Sequence, residues 1–349
     1  MPRVRLATPD SSNDGHLRPL VDSFGRVATD LRVSLTDRCN LRCTYCMPAE
    51  GLDWMPGEDI LTDDELLRLI RVGVTRLGIR TVRLTGGEPL LRKNLELLVA
   101  DIAALSPAPA IALTTNGIGL AARAARLADA GLTRINVSLD TLDPVLFRQI
   151  TRRNRLSDVL AGVSAARAAG LDPVKINAVL MRGVNDAGAL DLLHWAIAEG
   201  VQLRFIEQMP LDAQHAWQRS EMITADEIRS RLSQQVELFE DPEDARTRGS
   251  APAQLFRVAG TEASVGIIAA VSKPFCGACD RVRLTADGQV RNCLFARAES
   301  DLRTPLRAGA SDHELADRWL SAVAGKRAGH GIDDPSFLQP DRPMSAIGG

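Results

Sequence analysis

The stretch 36-TDRCNLRCTYCMP-48 begins at the last residue of the apolar run LRVSLT and carries three cysteines in the spacing C-x3-C-x2-C. We call Cys39, Cys43 and Cys46 the first trio. The stretch 275-FCGACDRVRLTADGQVRNC-293 carries a second trio in the spacing C-x2-C-x13-C, which consists of Cys276, Cys279 and Cys293. The two trios account for all six cysteines of the chain.

Three thiolates in each trio indicate an open metal centre. A [4Fe–4S] cluster that is closed by protein needs four Cys thiolates, so three leave one iron free for another ligand. An open coordination position is typical of catalytic metal sites. In the second trio, a free iron suggests a substrate as the missing ligand. The alternative is structural zinc with a fourth ligand from elsewhere, although C-x3-C-x2-C is an unusual spacing for a closed zinc site.

The composition is that of a globular protein in a reducing compartment. Of 349 residues, 45% are hydrophobic and 25% are charged, as in globular proteins. A net charge of -2 provides no positive electrostatic field for general nucleic-acid binding. No apolar run approaches the ~20 residues of a membrane span, and the N-terminal region lacks the apolar core of a secretory signal. We therefore expect a cytoplasmic chain with neither nucleic acid nor membrane as partner. Thiols stay reduced there, which favours metal binding over disulfides.

Short β-branched runs alternate with helical stretches from residue 31 onward. The predicted strands are LRVSLT, TVRLTG, AIALTTN, RINVSLD, VKINAVLM and QLRFIEQM, at 31–36, 81–86, 110–116, 134–140, 174–181 and 202–209. Six β-α units indicate a parallel sheet with right-handed crossovers, and mostly apolar strands fit burial on both faces. The units are too few for a full eight-stranded barrel. We predict an α/β fold, a partial (β/α)6 barrel that is open on one side.

Three regions are predicted along the chain: a mobile N-terminal arm at 1–22, the partial barrel at 23–245, and a C-terminal α+β cluster domain at 246–349 that closes the open side. The segment 240–253, EDPEDARTRGSAPA, is predicted as a polar linker or loop. After it the pattern changes to short strands, with a hairpin turn at Asp287-Gly288. The chain ends in an irregular, proline-containing tail that finishes in Gly-Gly.

Cations recur inside strands that are otherwise apolar, namely Arg32, Arg83, Lys175 and Arg204. A buried unpaired charge is costly, so cations that face a barrel lumen predict a concave anion site, which a polyphosphate would satisfy. Arg281 and Arg283 alternate on a later strand and form a fork for phosphate or carboxylate, although such a pair is more often a solvated face. Thr114 ends the third strand, where barrel active sites gather.

The motif GGEP at 86–89 follows the second predicted strand, one β-α unit after the first trio. This motif, together with C-x3-C-x-aromatic-C, resembles the radical S-adenosylmethionine superfamily. The resemblance implies that the open iron of the first cluster chelates S-adenosylmethionine, whose reductive cleavage yields a 5′-deoxyadenosyl radical. Gly86 and Gly87 would suit this role because a backbone without Cβ can approach a ligand closely.

The superfamily resemblance assigns S-adenosylmethionine contacts to Tyr45, Gly87, Ser138 and Met209. Each has a plainer alternative. Tyr45 could pack the cysteine loop, and Gly86-Gly87 could form an ordinary turn between a strand and a helix. Ser138 could bond its own backbone, and Met209 could belong to the core.

Further motifs occur along the chain in the same order as in one family of this superfamily. They are LRVSLTDRCNLRCTYCMP, VRLTGGEPLLR, TTNG, INVSLDTLD, NAVLMRGVND, LRFIEQM, FCGACDRVRLTADGQVRNCLF and the terminal Gly-Gly. From about Asp22 to Gly349 they resemble the GTP 3′,8-cyclase family of molybdenum-cofactor biosynthesis. The resemblance implies a lyase in which the radical abstracts the 3′ hydrogen of the GTP ribose. The C3′ radical then attacks C8 of guanine to give 3′,8-cyclo-7,8-dihydro-GTP.

The same resemblance implies roles for further residues. The second cluster binds the guanine edge through its free iron, and GTP is held by Arg32, Arg83, Thr114, Lys175, Arg204, Arg281 and Arg283. Gly348 and Gly349 reach the catalytic cavity and are assigned as catalytic, the alternative being a frayed end. The family also implies a homodimer, an external electron donor, and transfer of the unstable product to the cyclic pyranopterin monophosphate synthase.

Two other functions stay open on the sequence. A radical S-adenosylmethionine enzyme with an auxiliary cluster could act on a peptide. Such auxiliary domains usually carry more cysteines, however, and a peptide needs no cations on four barrel strands. A zinc-binding scaffold with two structural sites would not be an enzyme. A comparison of GTP and peptide binding separates the first alternative, and a brown colour after anaerobic purification would exclude the second.

Overall fold

A computed structural model describes residues 17–348 of the chain. The barrel strands are β3 Asp30–Ser34, β4 Thr81–Thr85, β5 Ala110–Thr115, β6 Arg134–Ser138, β7 Val174–Leu180 and β8 Gln202–Glu207. The others are β1 Leu20–Val21, β2 Val27–Ala28, β9 Leu238–Glu240, β10 Gln254–Val258, β11 Ser264–Ile268, β12 Arg281–Leu284, β13 Gln289–Arg291 and β14 Ser300–Asp301. Each barrel strand overlaps a run that the sequence predicts.

One mixed sheet contains every described strand except the hairpin of β1 and β2. Strands β3 to β8 are neighbours in chain order and run parallel, which confirms the six β-α units and the partial barrel. Strand β12 pairs in parallel with β3, and β11 pairs in parallel with β8. The C-terminal strands thus extend the barrel sheet at both of its edges.

The two faces of the barrel strands differ sharply in polarity. Val82 and Leu84 of β4 are fully buried in the main apolar core, whereas Arg83 between them lines a cavity in the lumen. The outer face is fully buried, and the lumen face, to which the sequence analysis assigned the cations, is partly buried. Only the outer face needs apolar side chains, because the lumen surrounds a polar cavity instead of a packed core.

The helices are α1 Asp63–Leu77, α2 Leu95–Ala103, α3 Ala124–Asp129, α4 Pro144–Thr151, α5 Leu156–Ala168, α6 Ala189–Ala198, α7 Ala225–Ser233, α8 Pro242–Thr247, α9 Arg303–Arg307, α10 Asp312–Ala324 and α11 Met344–Ile347. Helix α1 begins at a capping box of Thr62 and Glu65 and ends at Gly78, whose φ of 80° favours glycine. Within residues 17–348, no helix has both the length and the apolar character needed to cross a membrane.

Three segments differ from the sequence predictions. Residues 17–22 of the expected arm are ordered, because Leu20 pairs with Ala28 and is fully buried; residues 1–16 lie outside the described chain. The expected loop 240–253 contains α8, which begins with an Asp241 cap and Pro242 at its first position. The expected irregular tail contains α11, where burial of Ile347 stabilises a short helical turn. The domain boundary at 245/246 stays a prediction.

Candidate active site

A cavity of about 560 Å³ in the barrel lumen is lined by all six cysteines. The first trio lies in the loop after β3, at the carboxyl ends of the parallel strands. Cys276 and Cys279 come just before β12, which runs parallel to β3, so the second trio lies toward the amino ends. The polar faces of the barrel strands therefore connect the two trios.

The cysteines have the chemistry that cluster ligands need. All six are free thiols. Burial raises the pKa of Cys39, and it raises the pKa of Cys46 to about 12, so these thiols stay protonated until a metal displaces the proton. Among residues 17–348, no three His, Cys, Asp or Glu side chains are placed to share one metal ion.

Gly86 and Gly87 hold the first cysteine loop against the end of β4. The Gly87 amide donates to the Thr36 carbonyl at 2.7 Å. A Cβ on Gly87 would lie 2.2 Å from the Arg38 carbonyl oxygen, and a Cβ on Gly86 would lie 2.4 Å from that of Thr36. The glycines therefore let two backbone segments pack closely. The sequence analysis had explained them only by the close approach of a ligand. Both residues also line the cavity.

The residues predicted to contact S-adenosylmethionine all line the cavity, namely Tyr45, Gly87, Ser138 and Met209. The Tyr45 hydroxyl donates to Asp140 Oδ2 at 2.8 Å, and the Val179 amide donates to Asp140 Oδ1 at 2.9 Å. Burial raises the pKa of Asp140 to about 6. Met209 also packs against two small apolar clusters, so the core interpretation holds for it as well.

A buried lysine that the sequence did not single out contacts Cys279 of the second trio. Lys326 is 4% exposed, and its Nζ donates to the Cys279 carbonyl (3.1 Å), to Cys279 Sγ (3.3 Å) and to the Arg281 carbonyl (2.9 Å). Burial acts to raise the pKa of Cys279, but the charges of Lys326 and Arg281 outweigh it and lower that pKa. Lys326 follows the end of α10 and connects that helix to the cysteine turn.

The predicted GTP residues converge on the same cavity. Its lining includes Arg32, Arg83, Thr114, Lys175, Arg204, Arg281 and Arg283. Nε of Arg32 and both Nε and Nη1 of Arg83 are buried and lack a hydrogen-bond partner in the described chain. The only carboxylate within ion-pair range of these two among the described residues is Asp30, at 4.0 Å from each. Buried N–H groups without acceptors in the chain are suited to an anionic ligand.

Mutual repulsion is evident in the pKa values of these cations. Burial lowers the pKa of Arg32 to about 10; the charge of Asp30 acts to raise it, and the charges of Arg281 and Arg83 act to lower it. Burial, together with the charges of Arg204, Arg134 and Arg83, lowers the pKa of Lys175 to about 7. The site is therefore electrostatically strained without an anion, and a polyphosphate would relieve that strain.

Several cavity residues escaped the sequence analysis, namely Asp30, Arg134, Asn136, Asn177, Arg248 and His330. A signal for Arg134 was present: it shares strand parity with Asn136 and Ser138 in RINVSLD, which assigns it to the lumen face. Glu88 of the GGEP motif was also missed. It is fully buried and accepts hydrogen bonds from the Thr115 hydroxyl (2.6 Å) and the Asn116 amide (2.8 Å), and burial raises its pKa to about 7.

The C-terminal tail enters the lumen. Met344 and Ser345 line the cavity, and the carbonyl of Gly348 accepts a hydrogen bond from Arg283 Nη1. Gly348 has φ 75°, and a Cβ there would lie 2.6 Å from Ser34 Oγ and from Thr85 Cγ2. Only glycine fits this position without displacing its neighbours. Gly349 lies outside the described residues.

Comparison with known proteins decides the family. GTP 3',8-cyclase of Mycobacterium sp. (strain KMS) is 62% identical over 331 residues, which covers 95% of this chain and 94% of the relative. The enzymes of the same name from Streptomyces coelicolor (61% identical, 95% and 96% covered) and Mycolicibacterium smegmatis (59% identical, 100% and 98% covered) are similar over comparable lengths. The chain belongs to the GTP 3′,8-cyclase family.

Two family models divide the chain of this cyclase-family member. Residues 33–196 match the Radical SAM superfamily, and residues 201–332 match Molybdenum Cofactor Synthesis C. Membership brings S-adenosylmethionine and [4Fe–4S] clusters as cofactors, for which the cysteines are present.

Solved structures share the fold at low sequence identity. The Streptococcus suis SuiB structure gives a TM-score of 0.58 at 14% identity and covers 86% of this chain and 68% of its own. A tagged form of anSMEcpe with bound AdoMet gives 0.56 at 16% identity and covers 89% and 81%. These likenesses support the radical S-adenosylmethionine fold alone.

Proposed function

We propose that this chain cyclises GTP to (8S)-3′,8-cyclo-7,8-dihydroguanosine 5′-triphosphate, with reductive cleavage of S-adenosylmethionine to 5′-deoxyadenosine and methionine. This is the first step of molybdenum-cofactor biosynthesis. The observation that carries the proposal is a single cavity that joins the two cysteine trios across a polar barrel face with unsatisfied arginines. That arrangement suits a radical source at one end and a nucleotide base at the other, with cations on the barrel wall for its phosphates.

The first trio would hold a [4Fe–4S] cluster, and with S-adenosylmethionine bound this end of the cavity supplies a 5′-deoxyadenosyl radical. Cys39, Cys43 and Cys46 are its ligands. Tyr45, Gly87, Ser138 and Met209 bind and orient the S-adenosylmethionine. The closely packed loop and glycine turn fix the cysteines relative to β4, which supports accurate positioning of the reacting groups.

The second trio would hold the other [4Fe–4S] cluster, through Cys276, Cys279 and Cys293, with guanine at its open position. The triphosphate is bound by the arginines and the lysine of the lumen, and Thr114 contributes a hydroxyl. Guanidinium groups that line the cavity provide charge-assisted hydrogen bonds that fix the nucleotide. Gly348 lies beside Arg283, and the terminal residues Gly348 and Gly349 help to arrange the radical step.

The proposal extends to partners and location. Reductive cleavage needs an electron donor outside the chain. The unstable product passes to cyclic pyranopterin monophosphate synthase, which we propose as the downstream partner. Family resemblance supports a homodimer, and sedimentation equilibrium of the anaerobic protein tests it. Reduced thiols and the biosynthetic role support a cytoplasmic location.

Anaerobic incubation with GTP, S-adenosylmethionine and dithionite tests the function. Mass spectrometry should detect 5′-deoxyadenosine and an isomer of GTP, and both should require all three reagents. Production of 5′-deoxyadenosine without any GTP isomer would contradict the cyclase assignment while leaving the radical chemistry intact. A peptide-modifying activity is disfavoured by the cationic lumen, and competition of GTP with peptides for binding would test it.

A further inference from the structure

Arg134 is a cavity residue to which none of the roles above applies. It is the first residue of β6, on the same strand face as Asn136 and Ser138, and it lines the cavity. Its Nε is buried without a hydrogen-bond partner in the described chain. Its Nη2 donates only a long bond, at 3.4 Å, to Thr81 Oγ1. Most of the hydrogen-bonding capacity of this guanidinium is therefore unused.

Strand register places Arg134 at the end of a cationic row across the sheet. Arg283 of β12 pairs with Arg32 of β3, and Arg32 pairs with Arg83 of β4. Arg83 pairs with Ala112 of β5, and Ala112 pairs with Arg134. Four of the five positions in this row are thus arginines. At ~4.8 Å per strand, the row is roughly 19 Å long at the Cα atoms.

The two ends of this row face different surroundings. Arg283 and Arg32 lie within electrostatic range of Cys279 in the second trio. At the other end, Arg134 belongs to a group with Lys175 and Arg204, whose charges act on one another. A nucleotide whose base lies at the second trio would therefore extend its phosphates along the row, past Arg83, toward Arg134.

We propose that Arg134 binds the terminal phosphate of GTP and thereby distinguishes GTP from GDP. The inference rests on the proposed function, since it takes GTP as the occupant of the cavity. A guanidinium presents several N–H donors in a planar fork that matches phosphate oxygens, and no ion pair within the described chain satisfies Arg134. The nearby Lys175 and Arg204 supply the charge that a terminal phosphate requires.

The test is equilibrium binding of GTP and GDP to the anaerobically reconstituted full chain. The variants are Arg134→Met and Arg134→Lys, and the matched control is Arg148→Met on the exposed surface of α4. We expect Arg134→Met to weaken GTP binding at least ~10-fold, the scale of one lost charge-assisted contact, and to change GDP binding less than ~2-fold. Arg134→Lys should lie between, and Arg148→Met should match the wild type.

Iron content, melting temperature and S-adenosylmethionine binding of each variant show whether the fold is intact. An intact Arg134→Met protein that binds GTP as tightly as the wild type would overturn the inference. Equal weakening of GTP and GDP would also overturn it, because Arg134 would then act on a phosphate that both nucleotides share. If the wild-type protein binds neither nucleotide, the proposed function itself fails, and that result precedes any variant.

Discussion

At the scale of single residues, the lumen is defined by charges that lack partners within the chain. Arg32, Arg83 and Arg134 keep buried N–H groups without acceptors in the described structure, although a folded protein normally satisfies such groups. Arg281 is a partial exception. It donates to the Ser250 carbonyl and stacks over the Phe275 ring at 5.0 Å, so its substitution alters local structure as well as ligand binding. Lys175 is the cleaner probe.

Lys175 should couple GTP binding to proton uptake. Its pKa of about 7 in the protein alone would rise when a triphosphate binds beside it. Since the bound state then holds more protons, GTP affinity should fall as pH increases above 7, by up to ~10-fold per pH unit. Calorimetry at pH 8 in buffers of different ionisation enthalpy should detect uptake of about one proton per GTP, and Lys175→Met should abolish most of it.

The same substitution should not destabilise the protein without GTP. A Lys whose pKa is lower in the folded state binds fewer protons there, so its folding cost is largest below pH 7 and declines as pH rises toward the ordinary value of 10.5. Lys175→Met should therefore melt at the wild-type temperature or above it at pH 7. Unchanged proton uptake in Lys175→Met, or a melting temperature several degrees lower, would contradict this account.

At the scale of elements, the sequence predicted the barrel well and its edges poorly. The six parallel strands carry β-branched runs between capped helices, and these local signals indicate both element type and order. Local signals cannot show that β12 joins β3, because that pairing connects segments about 250 residues apart. Helix α11 was missed for a related reason, since it is stabilised by burial of Ile347 and not by helix propensity.

The junction between the first cysteine loop and β4 permits a test at this scale. A Cβ on Gly87 would meet the carbonyl oxygens of Arg38 (2.2 Å) and Asp37 (2.4 Å), which are backbone atoms and cannot rotate away. Gly87→Ala should therefore displace the loop, and iron should fall from about eight to about four atoms per chain. Iron analysis and S-adenosylmethionine binding measure this outcome.

Gly57→Ala is the matched control, because a Cβ at Gly57 meets no atom within 4 Å. This variant should keep full iron and normal S-adenosylmethionine binding. Retention of both properties by Gly87→Ala would show that the loop tolerates a shift of its backbone, and would remove the packing role assigned to that glycine.

At the scale of the whole molecule, two separate loops contribute cysteines to opposite ends of one cavity. Each cluster should consequently assemble without the other, whereas cyclisation should require both. Cys276→Ala should retain about four irons, bind and cleave S-adenosylmethionine, and lose cyclisation. Cys43→Ala should keep the second cluster and lose all cleavage. Loss of nearly all iron in both variants would mean that the six cysteines form one shared site.

The candidate site illustrates why sequence reasoning succeeds in part. Cysteine spacing and the strand cations Arg32, Arg83 and Arg204 were visible locally, and the structure brings them into one cavity. Lys326 was not, because its role depends on contact with Cys279, 47 residues away. The alternation of Arg134 with Asn136 and Ser138 along β6 could have identified it as a residue of the lumen face. It was missed because a charged first residue of a strand is easily interpreted as part of the preceding loop.

The C-terminal tail inserts into the lumen of the N-terminal barrel and so links the two regions of the chain. Gly348 is held by a hydrogen bond from Arg283 and by close contact with Ser34 and Thr85, so the tail is packed in the described structure and not frayed at this position. Arg283 belongs to the cationic row, which connects the tail to the proposed triphosphate site.

Deletion of Gly348 and Gly349 should therefore leave both clusters and S-adenosylmethionine binding intact, because neither glycine lies in a cysteine loop. Formation of the GTP isomer should fall by at least ~10²-fold, the scale expected when groups near a reacting centre lose their positions. Gly348→Ala should act in the same direction, because its Cβ would lie 2.6 Å from Ser34 Oγ. Mass spectrometry of the product, with iron content as control, measures both effects. Full-rate turnover by the deletion variant would show that the tail only fills space beside Arg283.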